Sequence, residues 1–253
     1  MPLTLATVPC LADNYAFLAH DPETGATACV DVPDADPILA ELRRRGWRLT
    51  DILLTHHHDD HTAGVAALVA ATGAAVTGAA ADAHRLPPLD RAVAPGDGIA
   101  IGGNTGRVIA VPGHTLGHVA FLFDGIAFTA DSLMAAGCGR LFEGTAADMH
   151  GAFAAFDALA DETLICSGHE YTAANIRFAL TLEPDNAALI SRAAAVADAR
   201  DAGRPTVPST LGEERATNPY LRVHLPAVAA AIGLQGAAPA EVFAAVRAAK
   251  DRF

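Results

Sequence analysis

Positive charge is scarce in this chain: 17 lysines and arginines face 29 aspartates and glutamates, a formal net charge of −12. A polyanion is repelled overall, so nonspecific binding to nucleic acid or to an anionic membrane is disfavoured, and any anionic substrate requires a local basic patch. Cysteine is scarce too. Cys10, Cys29, Cys138 and Cys166 are the only four, far apart and without a CxxC pair, which suits a reducing compartment and no disulfide framework. None reads as a nucleophile. No G-x-S-x-G elbow occurs, so Ser132 has no serine-hydrolase setting despite its place beside Asp131. The glycine-rich stretch 102–106 lacks the Lys-Ser/Thr ending of a phosphate-binding loop and has no following helix, and it reads as a hairpin turn.

Long apolar runs are missing as well. Residues 62–81 carry almost no charge, but they are mainly alanine and glycine, and Gly73 divides a helix-like half from a strand-like half. No membrane span is expected from them. The opening MPLTLATV has no basic segment, no sustained apolar core and no clear cleavage site, which makes the cytoplasm the expected location. Hydrophobic residues make up 51% of 253, and the 15 prolines and 22 glycines are dispersed. That length and composition give one large globular domain, or one domain with a small appendage.

What is abundant is histidine in one place. His56, His57, His58, Asp59, Asp60 and His61 put four imidazoles and two carboxylates in six consecutive residues, after the apolar run 52–54 and before the alanine-rich run 63–71. The first run reads as a buried strand and the second as a helix, so the donors sit where a strand hands over to a helix. Imidazole and carboxylate suit divalent cations, and more than one ion is expected. The frame HxHxDH fits this run in one way, with His56, His58, Asp60 and His61 as the named positions and His57 and Asp59 as bystanders. Along an extended segment His56 and His58 project to one side. Three later donors, His114, Asp131 and His169, each follow a short apolar run of their own (107–111, 126–129 and 164–166). Their shared placement is the argument, since one histidine alone is more often a polar surface or capping residue. His20, His84, His118, His150 and His224 have no motif support and are expected in surface or hydrogen-bonding roles.

Around these donors the chain is β-rich first and mixed later. Short apolar runs and turns over residues 3–32 predict strands in hairpin connection, followed by a helix over 38–45, a strand over 49–54 and a short strand over 75–77. Strands over 119–123 and 126–129 meet at Asp124-Gly125, a tight-hairpin signal that delivers Asp131. Residues 147–160 predict a helix and 163–166 the last strand. Helices are then predicted over 173–182, 186–202, 225–232 and 239–250, the last opening on Pro239. A boundary is expected near residues 168–172.

HxHxDH, then Pro112-Gly113-His114-Thr115, then Asp131, then Gly168-His169 resembles the metallo-β-lactamase superfamily, and the likeness covers the first two-thirds of the chain. A narrower resemblance, to the hydroxyacylglutathione hydrolases, runs through VPCLADNY (8–15), GCGRLFEG (137–144), GHEYT (168–172), TVPSTLGEE (206–214) and NPYLR (218–222). It implies an α/β fold, the αβ/βα sandwich with a C-terminal helical domain, divided into a catalytic part over 1–170 and a helical glutathione-substrate-binding part over 171–253. It also implies two divalent metal ions, zinc first with iron or manganese as alternatives. One would be held by His56, His58 and His114, the other by Asp60, His61 and His169, with Asp131 bridging both. Open coordination positions would let a bridging water serve as hydroxide near neutral pH and attack a thioester, with Asp60 orienting it. Asp59 or a backbone carbonyl is expected to satisfy the second ring nitrogen of a ligand histidine.

The implied substrate is S-D-lactoylglutathione or a related S-(2-hydroxyacyl)glutathione, held by Arg140, Phe142, Tyr171, Arg247 and Lys250. The family commonly has lysine where Arg140 stands and tyrosine where Phe142 stands, so one hydroxyl is missing while the charge remains. Arg247 and Lys250 lie three apart, on one face of the last predicted helix. A small-molecule partner, no nucleic acid, no membrane and a monomeric chain are expected. Within the same superfamily a persulfide dioxygenase or a class B β-lactamase is the rival reading, and a non-catalytic metal-dependent binding module is the rival of another class.

Overall fold

The computed structural model describes residues 1–253, which fall into two compact units: Met1–Ala110 with Gly117–Ala130, and Val111–Leu116 with Asp131–Phe253.

The first unit is a two-sheet α/β sandwich. Strands β1 (Thr4–Cys10), β2 (Asn14–His20) and β3 (Ala26–Val30) run antiparallel. Then β3, β4 (Arg48–Leu53), β5 (Ala75–Ala79) and β6 (Arg91–Val93) run parallel. Parallel pairing requires crossovers. Helix α1 (Ala35–Arg45) makes the first, capped by the Asp34 side chain and ended by Gly46 at φ 68. The short α2 (Asp59–Thr62) and α3 (Val65–Thr72) make the next. Ile38, Leu42, Val65 and Leu68 from these helices pack with Leu18, Ile52, Leu54 and Val76 in one core, each such side chain contributing about 1.5–3 kcal/mol. The second sheet of this unit is an antiparallel meander of β7 (Gly98–Ile101), β8 (Asn104–Ala110), β9 (Val119–Phe123) and β10 (Ile126–Ala130). Within the 102–106 stretch the expected hairpin turn is Gly102-Gly103, with Ile101 facing Asn104 across it, and residues 104–106 already belong to β8. Phe17 of β2 meets Phe128 of β10 at 6.0 Å between rings, joining the two sheets.

The second unit is mostly helical. It holds the small hairpin β11 (Leu133–Met134) with β12 (Gly137–Cys138), α4 (Ala146–Phe153) and the strand β13 (Leu164–Ser167). After these come α5 (Thr172–Leu182), α6 (Ala187–Asp201), the strand β14 (Ser209–Thr210), α7 (Leu211–Thr217), α8 (Pro226–Ala231) and α9 (Pro239–Asp251). Phe153 of α4 and Tyr220 close on Phe243 of α9 at 5.7 and 5.1 Å between rings.

Two expectations are corrected. The helix predicted over 147–160 ends at Phe153; beyond it the chain tightens into i→i+3 turns, the Asp157 and Leu159 amides donating to the Ala154 and Phe156 carbonyls at 3.2 and 3.1 Å, and Arg215 Nη2 fastens that segment through the carbonyls of Phe156, Asp157 and Leu159 at 3.2, 2.8 and 3.1 Å. Strands also do not stop at Tyr171, because Ser209 and Thr210 pair antiparallel with Ile165 and Leu164. No helix is long and apolar enough to cross a membrane.

Candidate metal centre and its surroundings

Four of the seven predicted donors lie in the first unit. His56 and His58 follow the carboxyl end of β4, where side chains of a parallel sheet meet ligands. Asp60 and His61 sit on α2, with His58 at its N-cap. The His56 ring centroid is 4.8 Å from that of His58 and 4.3 Å from that of His61. His56 and His61 are fully buried.

Asp31, at the carboxyl end of the neighbouring β3, sets the tautomers of these rings. Its carboxylate accepts from His61 Nδ1 at 2.9 Å, from the Thr55 hydroxyl at 2.8 Å and from the Thr55 amide at 2.9 Å. The Thr55 proton is thus given to Asp31, and the Thr55 oxygen accepts from His56 Nδ1 at 3.0 Å. Both rings therefore carry their proton on Nδ1 and a lone pair on Nε2. The His61 Nε2 lone pair stands 3.8 Å from Asp60 Oδ2. Asp60 is itself steadied by Asn14 Nδ2, which donates to its carbonyl at 3.0 Å and to Oδ2 at 3.1 Å. Asp31, His56 and His61 offer donor atoms within 4.8 Å of one another, but with three donors on Asp31 that trio is a hydrogen-bonded support rather than a cage for a cation.

The remaining donors, His114, Asp131 and His169, lie in the second unit, all with less than a tenth of their surface exposed. The carbonyl of Arg140, which can only accept, takes the proton of His114 Nδ1 at 2.8 Å. His114 Nε2 is then a lone pair facing Asp131 Oδ2 at 3.4 Å, and His169 Nε2 faces the same oxygen at 3.3 Å. With His114 neutral, two acceptors face each other there, and a cation bound between them would accept a lone pair from both. The donor set thus fits divalent metal in both units, and the second-nitrogen partners prove to be Asp31, Thr55 and a backbone carbonyl rather than Asp59.

The five predicted substrate residues also lie in the second unit. Phe142 is 60% exposed and packs edge-on to His114 at 5.2 Å, while Tyr171, 40% exposed, stacks on His169 at 4.7 Å. Arg140 extends into solvent with its Nε 3.9 Å from Asp251 Oδ1. Arg247 is buried; its guanidinium donates to the Cys138 carbonyl at 3.0 Å and to Asp251 at 2.9 Å. Lys250 reaches the Ala174 carbonyl at 3.3 Å, and burial, then Arg247 and Arg177, hold its ammonium below the ordinary lysine range. Arg140 and Arg247 thus lie beside one carboxylate, that of Asp251. The four cysteines are free and buried. Burial pushes Cys10 and Cys138 up to about 11 and Cys29 and Cys166 well above the usual thiol value, so none is a nucleophile. Among the unassigned histidines, His118 is buried and stacks on His56 at 4.6 Å.

Residues 24–169 match a family described as the metallo-beta-lactamase superfamily, and residues 170–253 match one described as hydroxyacylglutathione hydrolase C-terminus. A hydroxyacylglutathione hydrolase of Jannaschia sp. (strain CCS1) is 64% identical over 251 residues, 98% of each chain. One of Cereibacter sphaeroides (strain ATCC 17025 / ATH 2.4.3) is 63% identical over 100% of both. Among solved structures, the BLEG-1 B3 metallo-beta-lactamase shares the fold at a TM-score of 0.67, with 20% identity over 86% of this chain and 99% of that one.

Proposed function

Because the chain belongs to the hydroxyacylglutathione hydrolase family, built on the metallo-β-lactamase fold, we propose that it hydrolyses S-(2-hydroxyacyl)glutathione, S-D-lactoylglutathione foremost, to glutathione and a 2-hydroxy acid, D-lactate in that case. The observation that carries the mechanism is the pair of imidazole Nε2 atoms turned on one oxygen of Asp131.

We assign His56, His58 and His114 to one divalent ion, Asp60, His61 and His169 to a second, and Asp131 to both, with zinc first and iron or manganese as alternatives. Bound there, such ions would supply Lewis-acid polarisation of the thioester carbonyl and lower the pKa of a water towards neutrality. The chain's own residues do the rest. Asp31 and Thr55 keep the protons of His61 and His56 on Nδ1, Asn14 steadies Asp60, and Asp60 orients the attacking water. A thiolate leaves without a dedicated general acid. Arg140, Phe142, Tyr171, Arg247 and Lys250 are assigned to glutathione, a reading supported by the gathering of Arg140 and Arg247 beside Asp251 in a protein of net charge −12. We further assign catalysis to 1–170 and glutathione recognition to the helical segment 171–253, and place a monomeric enzyme in the cytoplasm, which suits its free thiols.

The test is cleavage of S-D-lactoylglutathione by metal-loaded protein, followed by loss of thioester absorbance. Turnover that Asp131→Ala abolishes is expected. An inert loaded protein, with Asp131→Ala indistinguishable from it, sinks the proposal.

A further inference from the structure

Residues 131–139 are buried without a break, and β11 and β12 pair only Leu133 with Cys138 and Met134 with Gly137. A ladder that short does not hold itself in water. Its turn residue Ala136 sits at φ 54, a left-handed conformation that a non-glycine residue keeps only where its surroundings impose it.

Helix-borne side chains impose it. Asn175 of α5 donates to the Ala135 carbonyl at 3.0 Å, and the Ala136 amide donates to Glu214 of α7 at 2.8 Å. Asn218 donates to the carbonyls of Met134 and Gly137 at 3.0 and 2.9 Å. Arg247 of α9 donates to that of Cys138 at 3.0 Å. Each residue from 134 to 138 therefore has a backbone polar group held by a distant side chain. Arg192 of α6 secures Glu214 in turn at 2.5 Å.

The hairpin leads directly to the metal donors. The Gly139 amide donates to the Ser132 carbonyl at 3.0 Å. A methyl group on Gly139 would lie 1.9 Å from the Asp131 carbonyl oxygen and 3.3 Å from His114 Nδ1. One residue further, the Arg140 carbonyl takes the His114 proton.

We propose that Asn175, Glu214, Asn218 and Arg247 are positioning residues, whose grip on the backbone of 134–138 fixes the Arg140 carbonyl and thereby the ring of His114. The helical segment then shapes the metal centre as well as receiving substrate, and this inference rests on the reading of His114 as a metal ligand.

Asn175→Asp keeps the side-chain shape and removes the donor to Ala135. Expected are zinc affinity, read by competition with a chromophoric chelator, lower by about 10–100-fold, and loss of the His114 Nδ1 proton signal in ¹⁵N-histidine spectra. In the loaded enzyme kcat falls while KM for the thioester stays within about twofold. Should Asn175→Asp fail to show a folded melting transition, Asn175→Ala, which adds no charge, replaces it. Wild-type zinc affinity and an intact His114 signal in a folded variant overturn the proposal, as does a change confined to KM. His114→Ala separates the two readings: if it loses zinc while the Asn175 variants do not, the positioning role alone fails, and if it keeps all its zinc, the ligand assignment beneath it fails.

Discussion

Asp31 Oδ2 and His61 Nδ1 lie 2.9 Å apart, although the two residues are separated by 30 positions in the chain. The same carboxylate reaches His56 through Thr55, so one acidic group at the end of β3 orients two of the donors that follow β4.

Asp31→Asn tests that arrangement without disturbing the backbone, since asparagine tolerates the φ of 56 found there. It removes the charge and half the acceptor capacity. Metal affinity is expected to fall about 10–100-fold, measured as metal retained against a graded chelator. The apoprotein is expected to lose about 1–3 kcal/mol in urea unfolding, because a buried Thr55 donor goes unsatisfied.

Gly139→Ala is expected to abolish most activity while leaving the helices intact. Its new methyl group meets the Asp131 carbonyl oxygen at 1.9 Å, so the backbone of Asp131 must move. A displacement near 1 Å at a reacting centre costs about 100-fold in rate. Steady-state kinetics with a far-ultraviolet circular dichroism spectrum checks both halves of the statement.

The exposed substrate residues should separate binding from chemistry. Arg140→Ala is expected to raise KM for the glutathione thioester about tenfold with kcat nearly unchanged. Phe142→Tyr restores a hydroxyl at a position 60% exposed, and is expected to lower KM about two- to fivefold, in line with one new hydrogen bond. A fall in kcat without any change in KM for Arg140→Ala contradicts the assignment.

Acid should reveal the turn that joins the two sheets of the first unit. The Asp21 carboxylate is held at about 2 by the amide of Gly103 first and that of Glu23 next, against a usual value of 3.8. Its folded value lies below its unfolded one, so the unfolded chain binds more protons on descent. The stabilisation is complete above about pH 4 and fades as the pH approaches about 2. Asp21→Asn should therefore melt below wild type near about pH 6, with the gap closing on acidification between those limits. A gap that does not vary with pH contradicts this.

Much of this was written locally in the chain. The apolar run before His56 and the Asp124-Gly125 pair state β4 and the β9–β10 hairpin directly, and HxHxDH marks four candidate donors because they fall within six consecutive residues. Asp31 follows an apolar run as the predicted donors do, but no motif marks it; its role appears only when β3 and β4 lie side by side. Helix α7 carried a readable signal in Thr210 and Glu213, a hydroxyl cap that accepts the Glu213 amide at 3.2 Å. The end of α4 was not readable, because Arg215, which fastens the turns just beyond it through the carbonyls of Phe156, Asp157 and Leu159, lies more than fifty positions later.

Arg140 divides into two chemically separate parts. Its carbonyl anchors His114 at 2.8 Å, while its side chain, 65% exposed, points to solvent. Any amino acid supplies a carbonyl, so a lysine in place of Arg140 would change only what reaches into solvent and leave the hold on the His114 ring as it is.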